Sequence, residues 1–156
     1  MLQGIALDVA LSLLTLIYLT SHPKGDELGQ LPGVEAYRSL QRHPEAMTFP
    51  GLPIWRVGGD LFFASIGHVS AGLKALVAAR PDVKCVLLDF APVNFIDVSA
   101  GDELLGLIKE LQKTDITVAF ARVRDAVRDD MKRAGIEAIV GPSNFYERTT
   151  DGVRAW

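Results

Sequence analysis

Between Val83 and Gln112 the chain reads VKCVLLDFAPVNFIDVSAGDELLGLIKELQ: an apolar run that reaches a carboxylate and, one short loop later, a helical pattern. No other stretch constrains the fold as strongly. Cys85, Val86, Leu87, Leu88 and Phe90 flank Asp89 without alternating polar positions, which suits a strand buried on both faces. Leu104, Leu105, Ile108 and Leu111 then recur at helical spacing, so a helix is expected to lay its apolar stripe back onto the sheet. Between them, Ser99 and Asp102 have the Ser-x-x-acid spacing of a helix N-terminus, which predicts a helix from Ser99 to Gln112. Asp89, Asp97 and Ser99 are thereby expected to crowd one end of the sheet, and helix N-termini attract anions.

Other segments supply the remaining layers. IWRV and LFFA bracket Gly58 and Gly59, a pattern that predicts a β-hairpin opening the folded domain. Ile66, Val69, Leu73, Leu76 and Val77 share one helical face, and Pro81 ends that helix. ITVAFA predicts a strand, and Val123, Val127, Met131 and Ala134 mark a third helix stopped by Gly135. Its charged run, Arg124 to Arg133, has mixed signs and reads as a solvated face with local ion pairs. Ile136 to Val140 is expected as a last strand and Thr150 as the start of a terminal helix. The order predicts an α/β domain, a mixed sheet with helices packed against it.

The first twenty residues differ in kind from the rest. MLQGIALDVALSLLTLIYLT carries one charge, Asp8, and an apolar helix of that length spans about 30 Å, one hydrocarbon core. Asp8 is expected to face protein, water or a partner helix, because facing lipid would cost about 2.5–3.5 kcal/mol. A secretory signal fits poorly, since no basic residue precedes the apolar run. Residues 1–21 are therefore read as a membrane helix, with a buried or interfacial amphipathic helix as the alternative. Residues 22–46, punctuated by Pro23, Gly25, Gly29, Pro32, Gly33 and Pro44, read as a linker with short ordered pieces, and residues 47–156 as the folded domain. Lys24, Arg38 and Arg42 after the apolar run favour a cytoplasmic location for the rest of the chain.

Composition narrows the function. Sixteen basic and nineteen acidic side chains give a net charge of −3 without a basic stripe, which argues against a nucleic-acid partner. The one cysteine, Cys85, cannot form an internal disulfide and falls mid-strand, where thiols are usually inert. His22, His43 and His68 have no second ligand at metal spacing, so no metal site is assigned. The Gly58–Gly59 pair has no phosphate-loop pattern around it and is explained by a turn. Ser99 sits outside any GxSxG setting, and a hydrolase built on it would need a base within hydrogen-bond reach. No catalytic residue is assigned. Two readings stand for Asp97 and Ser99: local capping of a helix or turn, or a phosphorylation target at Ser99. A phosphate there would gain from the helix dipole and be repelled by Asp97 and Asp102.

At these residues the sequence resembles a known family. DFAPVNFIDVSAGDELLGLIKELQKTDITVAFARV is similar to the core of the STAS domain, the module shared by sulfate transporters and bacterial anti-sigma-factor antagonists. An apolar helix followed by GQLPGVEAYRSL and PGLPIWRVGGDLFFA resembles the junction between the last membrane helix and the STAS domain of SulP-family anion permeases. Ser65 fills the place of the small polar residue that opens the next helix. The resemblance puts the family's D-x-[ST]-[GA] loop on Asp97, Val98, Ser99 and Ala100, with Ser99 at the serine phosphorylated in anti-sigma-factor antagonists. Ala100 and Asp115 stand where glycine is common.

The resemblance implies a STAS-like sheet preceded by an apolar helix, and a regulatory, non-enzymatic role. On that expectation the chain is the C-terminal part of a SulP-type sulfate or other inorganic-anion transporter, a fragment lacking the transport domain, with the STAS domain cytoplasmic at the cell membrane. Residues 1–21 would meet membrane or transporter helices. The loop of Asn94, Asp97, Ser99, Ala100 and Asp102, together with Asp89, would meet protein partners. No cofactor is implied beyond weak nucleotide contact at that loop, and a homodimer is left open. The alternative is a free-standing, phospho-regulated partner switch like an anti-sigma-factor antagonist.

Overall fold

The computed structural model describes residues 1–21 and 25–156. The expectations placed on His22, Pro23 and Lys24 lie outside the described residues. Helix α1 spans Leu2–Ser21, and every residue from Met1 to Leu19 is exposed. Six strands then form one sheet: β1 (Asp26–Gln30), β2 (Tyr37–Ser39), β3 (Ile54–Arg56), β4 (Cys85–Asp89), β5 (Thr117–Ala121) and β6 (Phe145–Tyr146). Their spatial order is β2-β1-β3-β4-β5-β6. β1 pairs antiparallel with β2 and β3, while β3, β4, β5 and β6 run parallel to one another. Helices α2 (Ile66–Ala79), α3 (Val98–Lys113), α4 (Asp125–Arg133), α5 (Ile136–Val140) and α6 (Thr149–Ala155) complete the fold. This is the mixed sheet with packed helices that the element order predicts.

The unalternating apolar run of β4 has a direct structural cause. All five residues of the strand are buried, with Val86 and Leu88 in the larger core cluster and Cys85 and Leu87 in the smaller one. The larger cluster joins them to Ile66, Leu73, Leu104, Ile108, Val127 and Met131 from α2, α3 and α4, and the smaller to Leu28, Ile54, Ala119 and Ala121. α6 contributes Val153 to that second side. Burial raises the Cys85 thiol to about 11, so it stays a neutral packing group at ordinary pH.

Four expectations are corrected. The hairpin around Gly58 and Gly59 does not form, because both edges of β3 are taken by distant strands, β1 on one side and β4 on the other. The second half of that pattern is a loop whose Leu61 makes an isolated parallel bridge with Ile96. The stretch read as linker supplies β1 and β2, so the sheet begins at Asp26 rather than after residue 47. Ile136 to Val140 is a helical turn, α5, set between Gly135 at φ 81° and Gly141 at φ 87°. Finally, α3 starts one residue early, with Asp97 and not Ser99 at its N-cap.

Asp115 is also informative. It occupies the left-handed region at φ 59°, the conformation for which glycine is the usual choice, and it does so in the turn that leads into β5. The charge run of α4 is a paired face, with Arg133 bonded to Asp130 and Arg128 to Glu137 at 2.9 Å. Arg128 also lies 4.6 Å over the Phe145 ring.

Candidate functional site: the Asp97 loop and the Asp89 arginine cluster

The carboxyl ends of the parallel strands carry two separate constellations. The first is built on the loop before α3. Asp97 accepts the amide of Ala100 at 2.7 Å through Oδ1 and the amide of Phe63 at 3.1 Å through Oδ2. One carboxylate thus caps α3 and ties it to the segment before α2. Backbone bonds reinforce the tie: Leu61 donates to the Phe95 carbonyl at 2.9 Å, and Asp97 donates to the Leu61 carbonyl at 3.0 Å. Asp60 accepts the amide of Asn94 at 2.7 Å, and the Asn94 side chain donates to the Pro92 carbonyl at 3.2 Å. Ser65, fully buried, accepts from Phe62 and donates to the Asp60 carbonyl, each at 3.0 Å, which fixes the other half of the surface.

Ser99 stands exposed in the first turn of α3, two residues after the cap, and Asp102 is exposed one turn on. Ala100 is wholly buried beneath them. The segments that Asp97 ties together also carry apolar side chains that a folded surface normally hides: Phe63 is 75% exposed, Phe95 52% and Val98 82%. A groove of about 420 Å³ runs alongside, lined by Phe95, Ile96, Val98, Gly101 and Ala134, with Asp97, Asp130 and Arg133. Exposed apolar surface beside a groove, rimmed by charge, is the signature of a protein contact rather than of chemistry. The groups bonded into the loop are the carboxylates of Asp60 and Asp97, and both are occupied by backbone amides. Among the described residues, no His, Cys, Asp and Glu side chains gather into a group able to hold a metal ion.

The second constellation takes Asp89 away from that loop. Asp89 is fully buried and accepts from Arg56 Nε at 2.9 Å, from Arg122 Nε at 2.9 Å and from the Ala91 amide at 3.1 Å. Burial alone pushes its pKa up, but the hydrogen bonds from Arg122, Ala91 and Arg56 and the charge of Arg122 outweigh it and hold the carboxyl below its usual range. Asp89 is therefore ionised and structural: it lies at the same carboxyl end of the sheet as the loop of Asp97 and Ser99, but its hydrogen bonds go to Arg56, Arg122 and the Ala91 amide. Arg56, Arg122, Phe63, Phe95 and Val98 were not singled out from the sequence. The arginines could have been found once strand order was known, since Arg56 pairs in register with Asp89 and Arg122 directly follows Asp89's partner Ala121.

Comparison with known proteins agrees with this fold. Residues 43–152 match the STAS domain family, and the chain belongs to that family. Within it, the chain is homologous to the STAS domains of sulfate transporters. It is 31% identical to the probable sulfate transporter 4.2 of Arabidopsis thaliana over 161 residues, which cover 97% of this chain and 24% of the relative. The murine Solute Carrier 26 family member A9 anion transporter, in its inward-facing state, superimposes with a TM-score of 0.86 at 22% identity, over 98% of this chain and 25% of that one. The phosphorylated form of the Bacillus cell-fate determinant SpoIIAA shares the fold with a TM-score of 0.53 at 14% identity, over 70% of this chain and 94% of its own. The chain spans about a quarter of the length of the curated relatives it matches.

Proposed function

We propose that this chain is the C-terminal part of a SulP-type anion transporter, with α1 as a membrane helix and the STAS domain as its cytoplasmic regulatory and assembly module. The observation that carries the reading is α1. Its twenty residues bear one charge, Asp8, and the apolar side chains Leu2, Ile5, Leu7, Leu11, Leu13, Leu14, Leu16, Ile17 and Leu19 are all more than half exposed. Such a surface is stable only against lipid or partner helices. Translocation of sulfate or another inorganic anion belongs, in this reading, to transporter helices that α1 meets. The domain itself is not an enzyme: it works by protein contact at the groove beside Ser99.

A second reading is favoured by one feature, the exposed hydroxyl of Ser99 in the first turn of α3. In it the domain acts as a phospho-regulated partner switch. A phosphate on Ser99 would be favoured by the helix N-terminus and opposed by Asp97 and Asp102, and it would place charge at the edge of the Phe95–Val98 surface. Weak nucleotide contact at the same helix start, and pairing of two copies through this surface, are further uses that the loop would serve.

Membrane fractionation with a carbonate wash tests the first reading, comparing the full chain with a version lacking residues 1–21. Retention of the full chain alone supports it. Wash-out of both forms would reduce the transporter relationship to ancestry and leave the Ser99 switch as the function to pursue.

A further inference from the structure

Away from the Ser99 groove, four arginines converge on one cavity. Arg38, Arg56, Arg122 and Arg148 line about 360 Å³ together with Thr149 and Thr150. They come from four places in the chain: β2, the end of β3, the residue after β5, and the start of α6. Four guanidiniums so placed make the cavity electropositive, a potential that water screens in part, since the side chains of Arg122 and Arg148 are 39% and 65% exposed, and that the protein's own carboxylates offset only in part.

The charges of each partner can be traced. Asp89 is a single carboxylate shared by Arg56 and Arg122. Arg148 is paired with Asp151 at 3.0 Å and also feels the charges of Glu35 and Glu147, while Glu35, the acid on the cavity wall, is bonded to Arg154. Arg38 has no ion pair among the described residues, and its guanidinium donates to the neighbouring Tyr37 carbonyl at 3.4 Å. One guanidinium of the Asp89 pair and that of Arg38 are therefore uncompensated. Thr149 and Thr150, 5% and 8% exposed, add hydroxyl donors to the same wall.

The geometry points to an oxyanion site here: a doubly charged tetrahedral group, sulfate or phosphate, held by Arg38 and Arg148 over the Arg56–Asp89–Arg122 base. Guanidinium forks match the paired oxygens of such groups, and hydroxyls satisfy the remaining lone pairs. Asp89 has a specific part in this. By taking one hydrogen bond from Arg56 and two from Arg122 it holds their planes fixed, so these two residues reach the site without further ordering. The cavity is large enough for the oxyanion to arrive either free or as the ester of a small organic molecule. The site does not depend on the transporter reading, since it is formed wholly within the STAS domain.

The test is isothermal titration calorimetry on the full chain in detergent, with sodium sulfate, inorganic phosphate and adenosine monophosphate as probes. Arg38→Gln leaves the Asp89 cluster untouched and should weaken binding about tenfold, the loss of one charge-assisted hydrogen bond. Arg148→Gln should do the same, and Arg42→Gln, outside the cavity, should not. Binding of the inorganic ions with this pattern identifies a free oxyanion. Binding of the monophosphate alone with the same pattern identifies an ester. Absence of binding by all three probes, or binding equally lowered by Arg42→Gln, overturns the site.

Discussion

Arg122 and Asp89 meet at the carboxyl ends of neighbouring parallel strands, where Nε of Arg122 donates to Oδ1 at 2.9 Å and Nη2 donates to Oδ2 of a carboxylate with no exposed surface. Arg122 reaches this position from a left-handed backbone, φ 59°, while its amide donates to the Tyr146 carbonyl at 3.0 Å. A backbone conformation that costs about 1–3 kcal/mol persists only where other bonds over-determine it, as these do. Arg122→Gln should lower unfolding free energy by about 1.5–3 kcal/mol in urea denaturation, since the buried charge keeps Arg56 and the Ala91 amide.

The same pair sets an acid response. The folded-state pKa of Asp89 lies below its unfolded value, so its stabilisation is complete above about pH 3.9 and disappears as pH falls through the folded value. As pH falls below about 3.9 toward the folded value, the wild-type chain should lose more stability than Asp89→Asn, which has no proton to gain. Equal acid slopes for the two, followed by circular dichroism, would falsify this account.

Asp97 joins α3 to the segment before α2 through two amides, so its removal should be felt in both. Asp97→Ala is expected to cost about 0.5–2 kcal/mol, the range for a lost N-cap, and to speed hydrogen exchange at the Phe63 amide. A cap loss without faster exchange at Phe63 would mean that the tether is incidental.

Helix α3 contains two glycines with opposite surroundings. A Cβ on Gly106 would meet nothing within 4 Å, whereas one on Gly101 would lie 3.3 Å from the Ala134 Cβ. Gly106→Ala should therefore stabilise by about 0.8–1 kcal/mol through helix propensity. Gly101→Ala should gain less or destabilise, because the same propensity is offset by contact with the residue that ends α4. Thermal melts of the two variants measure the difference directly.

At Asp115 the left-handed φ favours glycine, so Asp115→Gly should be neutral or stabilising by up to about 1 kcal/mol. Asp115→Val, with a branched Cβ in that region, should destabilise. A melt in which valine is tolerated as well as glycine would show that the turn relaxes to another conformation.

Ser99→Asp tests whether the loop can carry charge without cost to the fold. The side chain is exposed in the first turn of a sixteen-residue helix, so the change should alter stability by no more than about 0.5 kcal/mol. Loss of folding in this variant would rule out a phosphate at the same place.

Short-range pattern encodes a definite share of this molecule. The run through Val86 and Leu88 was legible as a doubly buried strand, the spacing of Leu104, Ile108 and Leu111 as a core helix, and MLQGIALDVALSLLTLIYLT as a helix in need of an apolar partner. The Asp97 to Ala100 loop was legible too, although the cap fell on Asp97 because its Oδ1 reaches the Ala100 amide, while Ser99 is left exposed. Tertiary structure decided the rest. Strand partners lie tens of residues apart, so Ile54–Arg56 joined β1 and β4 rather than folding onto LFFA, and DELGQ became a strand within a stretch punctuated like a linker. Five residues, Ile136 to Val140, four of them apolar, are too few to show a period, and they form a helical turn between two glycines of positive φ. The partners of Asp89 were decided in the same way: the parallel register of β3, β4 and β5 sets which arginines a buried carboxylate can reach, and register is a property of the assembled sheet.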